Sequence, residues 1–191
     1  KIISESAIAA GVRRIEATTG VNAEKIVQDN EDILTSVKAA FNNSPNLLAT
    51  IYKVTEENEL LKKRVEEFMR EKAADLKRVL ISEKQYINGV NVIMLTGEYH
   101  PEVVKNVAFM LRKEQNIIFA AGFIYEDKAN LALMYTDDLV AHGCNAGKDI
   151  REAAKLISGG GGGQPFFATA GGKELSGLQA AVAKLVESAT K

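Results

Sequence analysis

Gly159, Gly160, Gly161, Gly162 and Gly163 stand consecutively in this chain, followed by Gln164 and Pro165 and then by Gly171-Gly172-Lys173. A backbone without Cβ atoms lets a ligand or another backbone come close. Consecutive N–H groups in such a loop can converge on a phosphate, and the N-terminus of a following helix adds partial positive charge. Helical patterns flank the run, over 149–157 before it and 174–188 after it. The glycines therefore belong to a folded domain, because a flexible linker would have polar, low-complexity flanks. Lys148, Arg151 and Lys155 fall on the preceding helix and Lys173 follows the second glycine pair. Such cations suit a phosphate backbone.

Other chemistries fit the stretch less well. A mononucleotide P-loop needs a glycine, four residues, then Gly-Lys-Ser/Thr. Here Gly172-Lys173 is followed by Glu174, and Phe167 stands where the first glycine belongs. A dinucleotide fingerprint runs from strand to helix, whereas a helix precedes these glycines. No nucleophile is paired with a base. Cys144 and His142 do not make a metal site, because zinc takes three or four ligands and His100 is the one other histidine. From residue 139 onward Lys148, Arg151, Lys155, Lys173, Lys184 and Lys191 stand against Asp149, Glu152, Glu174 and Glu187, a slight local basic excess. On backbone geometry alone two roles stay open: a phosphate contact, or room for the last helix to pack tightly on a sheet.

The remainder of the chain sets limits. Its 191 residues fit one domain or two small ones, and the net charge of −1 excludes a strongly basic nucleic-acid binder. No apolar stretch is long enough to span a membrane, and the single cysteine fits a reducing, cytoplasmic setting. The chain begins at Lys1 instead of Met, as expected for a piece of a longer protein.

Three parts are expected. In 1–20, two short strands over 2–6 and 12–17 flank a small-residue turn and look like the edge of a larger domain. In 21–83, a helix from Ala23 ends at Asn42-Asn43. Ser44 and Pro45 suit the N-cap and first turn of a second helix running to about 82. Ile51, Val54, Asn58, Leu61, Val65 and Phe68 fall on a and d positions of a heptad. The pair reads as a coiled-coil hairpin, either a strut or a surface for oligomerisation or a partner. In 84–191, a compact α/β (α+β) domain is expected, with a small sheet flanked by helices. Its elements are a strand over 86–95, a helix over 101–114, a hairpin of 117–125 and 129–135 joined by Glu126-Asp127-Lys128, helix over most of 139–157 broken at Gly143 or Gly147, the glycine loop and the final helix.

The stretch Ile150-Arg151-Glu152-Ala153-Ala154-Lys155, leading into 159–163, Gln164-Pro165, Ala168 and Ala170-Gly171-Gly172-Lys173, closely resembles the C-terminal domain of alanyl-tRNA synthetases. Ile8-Ala9-Ala10-Gly11-Val12-Arg13-Arg14-Ile15-Glu16-Ala17-Thr18-Thr19-Gly20 resembles the segment that closes that family's editing domain, and a helical connector between the two is also the family's order. The resemblance implies a parent enzyme that attaches alanine to tRNA(Ala) with ATP, magnesium and zinc. It places the activation site and the editing zinc upstream of Lys1, so this piece holds no cofactor and does no chemistry. It also implies that Gly159 to Gly163, Gln164 and Lys173, with Arg151 and Lys155, face RNA at the outer corner of the tRNA. The implied partners are tRNA(Ala), the catalytic and editing domains and, in some members, a second copy. A related domain accompanies DHH-type phosphoesterases, whose glycine loops typically end in a histidine; here Gln164-Pro165 stands instead. Besides RNA binding, a purely dimerising coiled coil remains as an alternative reading.

Overall fold

The structure, a computed structural model, describes residues 1–190. It divides into two compact units, one ending at Lys62 and the other beginning at Lys63.

In the first unit, strands β1 (Ile2–Ala9) and β2 (Val12–Ala17) pair antiparallel, and Gly11 takes φ 77° in the turn. β1 is three residues longer than expected. Every residue of both strands is exposed. Helix α1 (Val21–Ala40) follows and has no buried residue. Asn42 and Asn43, both at positive φ, turn the chain toward α2 (Leu47–Ser82), a helix that contributes to both units. The expected capping by Ser44 and Pro45 is corrected. The Asn46 side chain accepts the Ala49 N–H at 3.1 Å, and the Ser44 hydroxyl instead meets Thr50 at 2.7 Å. Asn is as good a cap as Ser, and the proline holds Ser44 extended, so the helix starts two residues later. Val37, Phe41, Leu47 and Ile51 are half-buried around this turn. The rest of the seam stands out in solvent: Asn58 is exposed, and Val54, Leu61, Val65 and Phe68 are 47–57% exposed.

The second unit is a six-stranded sheet in the order β3-β4-β5-β6-β8-β7. β3 (Gln85–Ile87) and β4 (Val90–Glu98) form a hairpin where one strand was expected. Asn88 and Gly89 sit at φ 49° and 91°, and an Asn-Gly pair between apolar residues is the strongest short-range hairpin signal. Helix α3 (Pro101–Leu111) joins β4 to its parallel neighbour β5 (Ile117–Tyr125). β6 (Lys128–Tyr135) returns through Glu126 and Asp127, both left-handed. Gly143, at φ 101°, separates α4 (Asp137–Ala141) from α5 (Ala146–Ala154), and one 3-10 turn covers Lys155–Ile157. β7 (Gly160–Gly163), β8 (Phe167–Gly172) and α6 (Leu178–Ala189) complete the unit.

Side chains alternate across this sheet, so each face has its own core. Val92, Ile118, Leu131, Leu133 and Tyr135 pack with α5 and α6 through Ile150, Ala181 and Leu185. Ile93, Phe119, Ala121 and Met134 pack with α3 and the end of α2 through Val104, Val107, Leu111, Ala73 and Leu80. Val79, between Leu76 and Leu80 on α2, is exposed.

Leu133→Ala, at a fully buried position, is expected to cost about 2–5 kcal/mol in urea denaturation. Leu61→Ala, at an exposed one, is expected to change stability by less than about 0.5 kcal/mol at low protein concentration. A loss at Leu61 that grows with protein concentration marks the seam as a contact between copies.

Candidate nucleic-acid interface

The glycine run is not a loop. Gly160–Gly163 form the edge strand β7, whose register runs from Gly160 opposite Gly171 to Gly163 opposite Ala168. Gln164 closes the hairpin: its N–H donates to the Phe167 carbonyl at 2.9 Å and its own carbonyl accepts the Phe167 N–H at 3.3 Å. Pro165 and Phe166 at the tip accept backbone N–H groups of Ala146 and Tyr135, which fixes the turn to its surroundings. Gly159 precedes the strand and donates its N–H to Ala154, ending α5.

Alternate glycines of this run meet different surroundings. A Cβ at Gly159, Gly161 or Gly163 would overlap the carbonyl oxygen of Gly171, Thr169 or Phe167 on β8. A Cβ on Gly147 in α5 would overlap the Gly163 carbonyl, so that helix also lies directly against β7. At Gly160 a Cβ would meet nothing within 4 Å. The expected arrangement of glycine N–H groups beside the N-terminus of the next helix is therefore corrected: β8 intervenes, and α6 begins at Leu178 instead of 174. A glycine run carries almost no strand propensity, so its pairing is set by the packing around it.

The outer edge of β7 has backbone groups with no strand beside them and no side chains to shield them. Arg151 reaches over this strand, with Nε and Nη2 each 3.8 Å from where a Gly162 Cβ would stand. Helix α5 holds it there. The Asn145 side chain caps the helix on Lys148 N–H at 3.1 Å, and the Tyr135 hydroxyl donates to Asp149 at 2.7 Å. Burial and then the Asp149 carboxylate push the Tyr135 phenol well above its ordinary range, so the bond keeps its proton. Arg151 and Lys148 are exposed and enter no ion pair among the described residues. Lys155 is pulled onto Glu152 at 2.9 Å. Lys173 is exposed just beyond β8, at the Gly159 end of β7 and opposite the Gln164 end. Glu174 beside it is held below the usual carboxylate range by hydrogen bonds from the Ser176 hydroxyl and N–H, so it stays charged. The structure thus gathers Arg151 and the glycines, sets Lys173 and Gln164 at opposite ends, and leaves Lys155 half-neutralised.

A groove of about 460 Å³ between α3 and the sheet escaped the sequence reading. Its floor includes Asn130, Thr169, Gly160 and Gly171, and Glu102 and Lys105 line its wall. The alternation Phe167-Ala168-Thr169-Ala170 carried the signal, since it puts Thr169 opposite the face of the buried alanines.

Burial, then Asp149 and Asp138, push the Cys144 thiol up, away from the thiolate. The His100 ring accepts the Glu102 N–H as the cap of α3, and the His142 ring lies 2.7 Å from the Asp138 carbonyl. Among the described residues no three His, Cys, Asp or Glu side chains gather to hold a metal. No helix among them is long and apolar enough to cross a membrane.

Residues 89–191 match the model of the DHHA1 domain. The chain belongs to the DHHA1 domain family. An alanine–tRNA ligase of Bacteroides fragilis is 53% identical over 98% of the chain, and one of Bacteroides thetaiotaomicron is 51% identical over 98%. The chain spans 22% of the length of each of these relatives. The crystal structure of the C-Ala domain from Aquifex aeolicus alanyl-tRNA synthetase superposes with a TM-score of 0.51 at 27% identity, covering 56% of this chain and 98% of that one. The resemblance to alanyl-tRNA synthetases is thereby borne out, as is the mixed α/β fold with a long helix before a sheet flanked by helices.

Because a Cβ at Gly161 meets backbone and one at Gly160 meets open space, Gly161→Ala is expected to cost more than about 2 kcal/mol. Gly160→Ala is expected to be neutral or to stabilise by about 0.5 kcal/mol through the unfolded chain. Equilibrium urea denaturation of the two variants separates these outcomes.

Proposed function

We propose that this chain is the C-terminal tRNA-binding region of an alanine–tRNA ligase, an enzyme that attaches alanine to tRNA(Ala) with ATP. On this reading 1–20 close the editing domain, 21–83 form the connector and 84–191 form the RNA-binding appendage. ATP, magnesium and zinc serve parts of the cytoplasmic parent enzyme outside this chain, which binds the outer corner of the tRNA and does no chemistry.

The observation that carries the reading is the side-chain-free edge of β7 under the unpaired Arg151 guanidinium. Edge N–H groups and a guanidinium are both donors to phosphate oxygens. Gly159 to Gly163 and Gln164 supply backbone, Arg151 the principal charge, and Lys173 and Lys155 the flanking charges. The ligases at more than 50% identity favour this reading over a DHH-type phosphoesterase. A second reading rests on the exposed seam of Val54, Leu61, Val65 and Phe68. Paired with a second copy it would bury a heptad stripe, and a dimer would strengthen weak RNA binding by avidity.

Titration of fluorescent tRNA(Ala) at two salt concentrations tests the reading. Saturable binding that weakens with salt is expected, and Arg151→Ala is expected to weaken it and to reduce the salt slope by about 1. Absence of binding, or binding indifferent to salt, contradicts it.

A further inference from the structure

A second cationic surface lies between α2 and α3. The two helices enclose a groove of about 520 Å³ lined by Arg70, Lys77, Arg78, Phe109, Met110 and Lys113. That volume is in the range of sites that hold small molecules or single chemical groups of a larger partner. Its charges do not cancel. Lys77 is taken up by Glu114 at 2.8 Å and Arg78 by Asp75. Arg70 and Lys113 enter no ion pair among the described residues, so the groove keeps a net positive charge.

Aromatic surface adjoins those cations. Phe109 is 42% exposed, an unusual state for a phenylalanine on a helix that buries five other residues. It meets Phe166 and Phe167 edge-on at 5.7 and 5.4 Å, and the Arg112 guanidinium lies 3.8 Å from the Phe166 ring centre. Asp137, at 2.8 Å, holds Arg112 in that stack. Phe166 is the tip of the hairpin that joins β7 to β8. A continuous surface therefore leads from the Gln164 end of the glycine strand, across Phe166 and Phe109, to Arg70 and Lys113. Cations along a track with flat aromatic or guanidinium faces beside it suit a nucleic-acid strand, whose phosphates take the charges while a base stacks on the rings. An acidic protein segment would use the charges but has no need of the flat faces.

We infer that the α2–α3 groove is a second RNA contact, in which Arg70 and Lys113 meet phosphates and Phe109, with the Arg112–Phe166 stack, receives a base. This rests on the RNA-binding reading and extends it to residues that the glycine motif does not include.

The test uses the 191-residue chain and fluorescent folded tRNA at two salt concentrations. Arg70→Gln/Lys113→Gln and Phe109→Leu are compared with Arg151→Ala on the β7 edge, and thermal melting confirms that each stays folded. The double variant is expected to bind about tenfold more weakly, with a salt slope shallower by about 1.5, because two phosphate contacts are lost. Phe109→Leu keeps an apolar packing group and is expected to weaken binding by about fivefold with the slope unchanged, because stacking is lost without charge. If the wild-type chain binds RNA and both groove variants match it, the groove is overturned while the RNA-binding reading stands. If the wild-type chain does not bind, both fall. Poly-glutamate bound by the wild type and lost in the double variant, with RNA binding untouched, assigns the groove to an acidic protein and overturns the inference.

Discussion

The close approach of β7 to β8 and to α5 is the constraint on which the rest of the second unit depends. At Gly159, Gly161 and Gly163 the partner strand occupies the space a Cβ would need, and at Gly147 the helix comes down onto the Gly163 carbonyl. Protein interiors do not yield by the half-ångström or more that such a side chain would demand. Glycine is thus a packing requirement at these positions, with or without a ligand at the edge. The same approach lays α5 across the strand, and that placement, with Tyr135 holding Asp149, brings Arg151 above Gly162.

A packing role at alternate glycines consequently leaves the others free for the proposed recognition. Gly159, Gly161 and Gly163 answer to β8, whereas Gly160 has open space around it and borders the groove under α3. A strand without side chains at the edge of a sheet presents its backbone directly to solvent, which other proteins shield because bare edges invite pairing with another chain. Here Arg151 and the ends of the hairpin stand beside it, so its surroundings favour an anion over a neutral strand. Lys155 contributes less than its position suggested, because Glu152 one turn back already neutralises much of it; exposed pairs of this kind are worth little to stability but do reduce the local potential.

Long periodic elements were legible from the chain. α1, α2, α3 and the β5–β6 hairpin follow from apolar spacing and turn residues. The edge strand was not, because a run of glycines offers neither period nor propensity, and only the backbone of β8 decides where it pairs. The Asn88-Gly89 turn is legible as a hairpin signal, but the apolar residues on both sides of it also fit one continuous strand. Heptad spacing along α2 says nothing about whether a partner is present, and Leu61 and Phe68 stand exposed. The charged groove at Arg70 and Lys113 was out of reach, because the two residues lie far apart in the chain and meet through the packing of Ala73 and Leu80 against α3.

Amide hydrogen exchange over the glycine hairpin tests the central claim most directly, because it reports on β7 without any substitution. If Gly160–Gly163 pair with β8, amides of the two strands that point at each other exchange more slowly than free peptide by a factor of about 100 or more, as expected of paired strands in a stable unit. Exchange of all the glycine amides at nearly the free-peptide rate, with β8 protected only on its β6 side, would show the run to be an open loop and contradict the account.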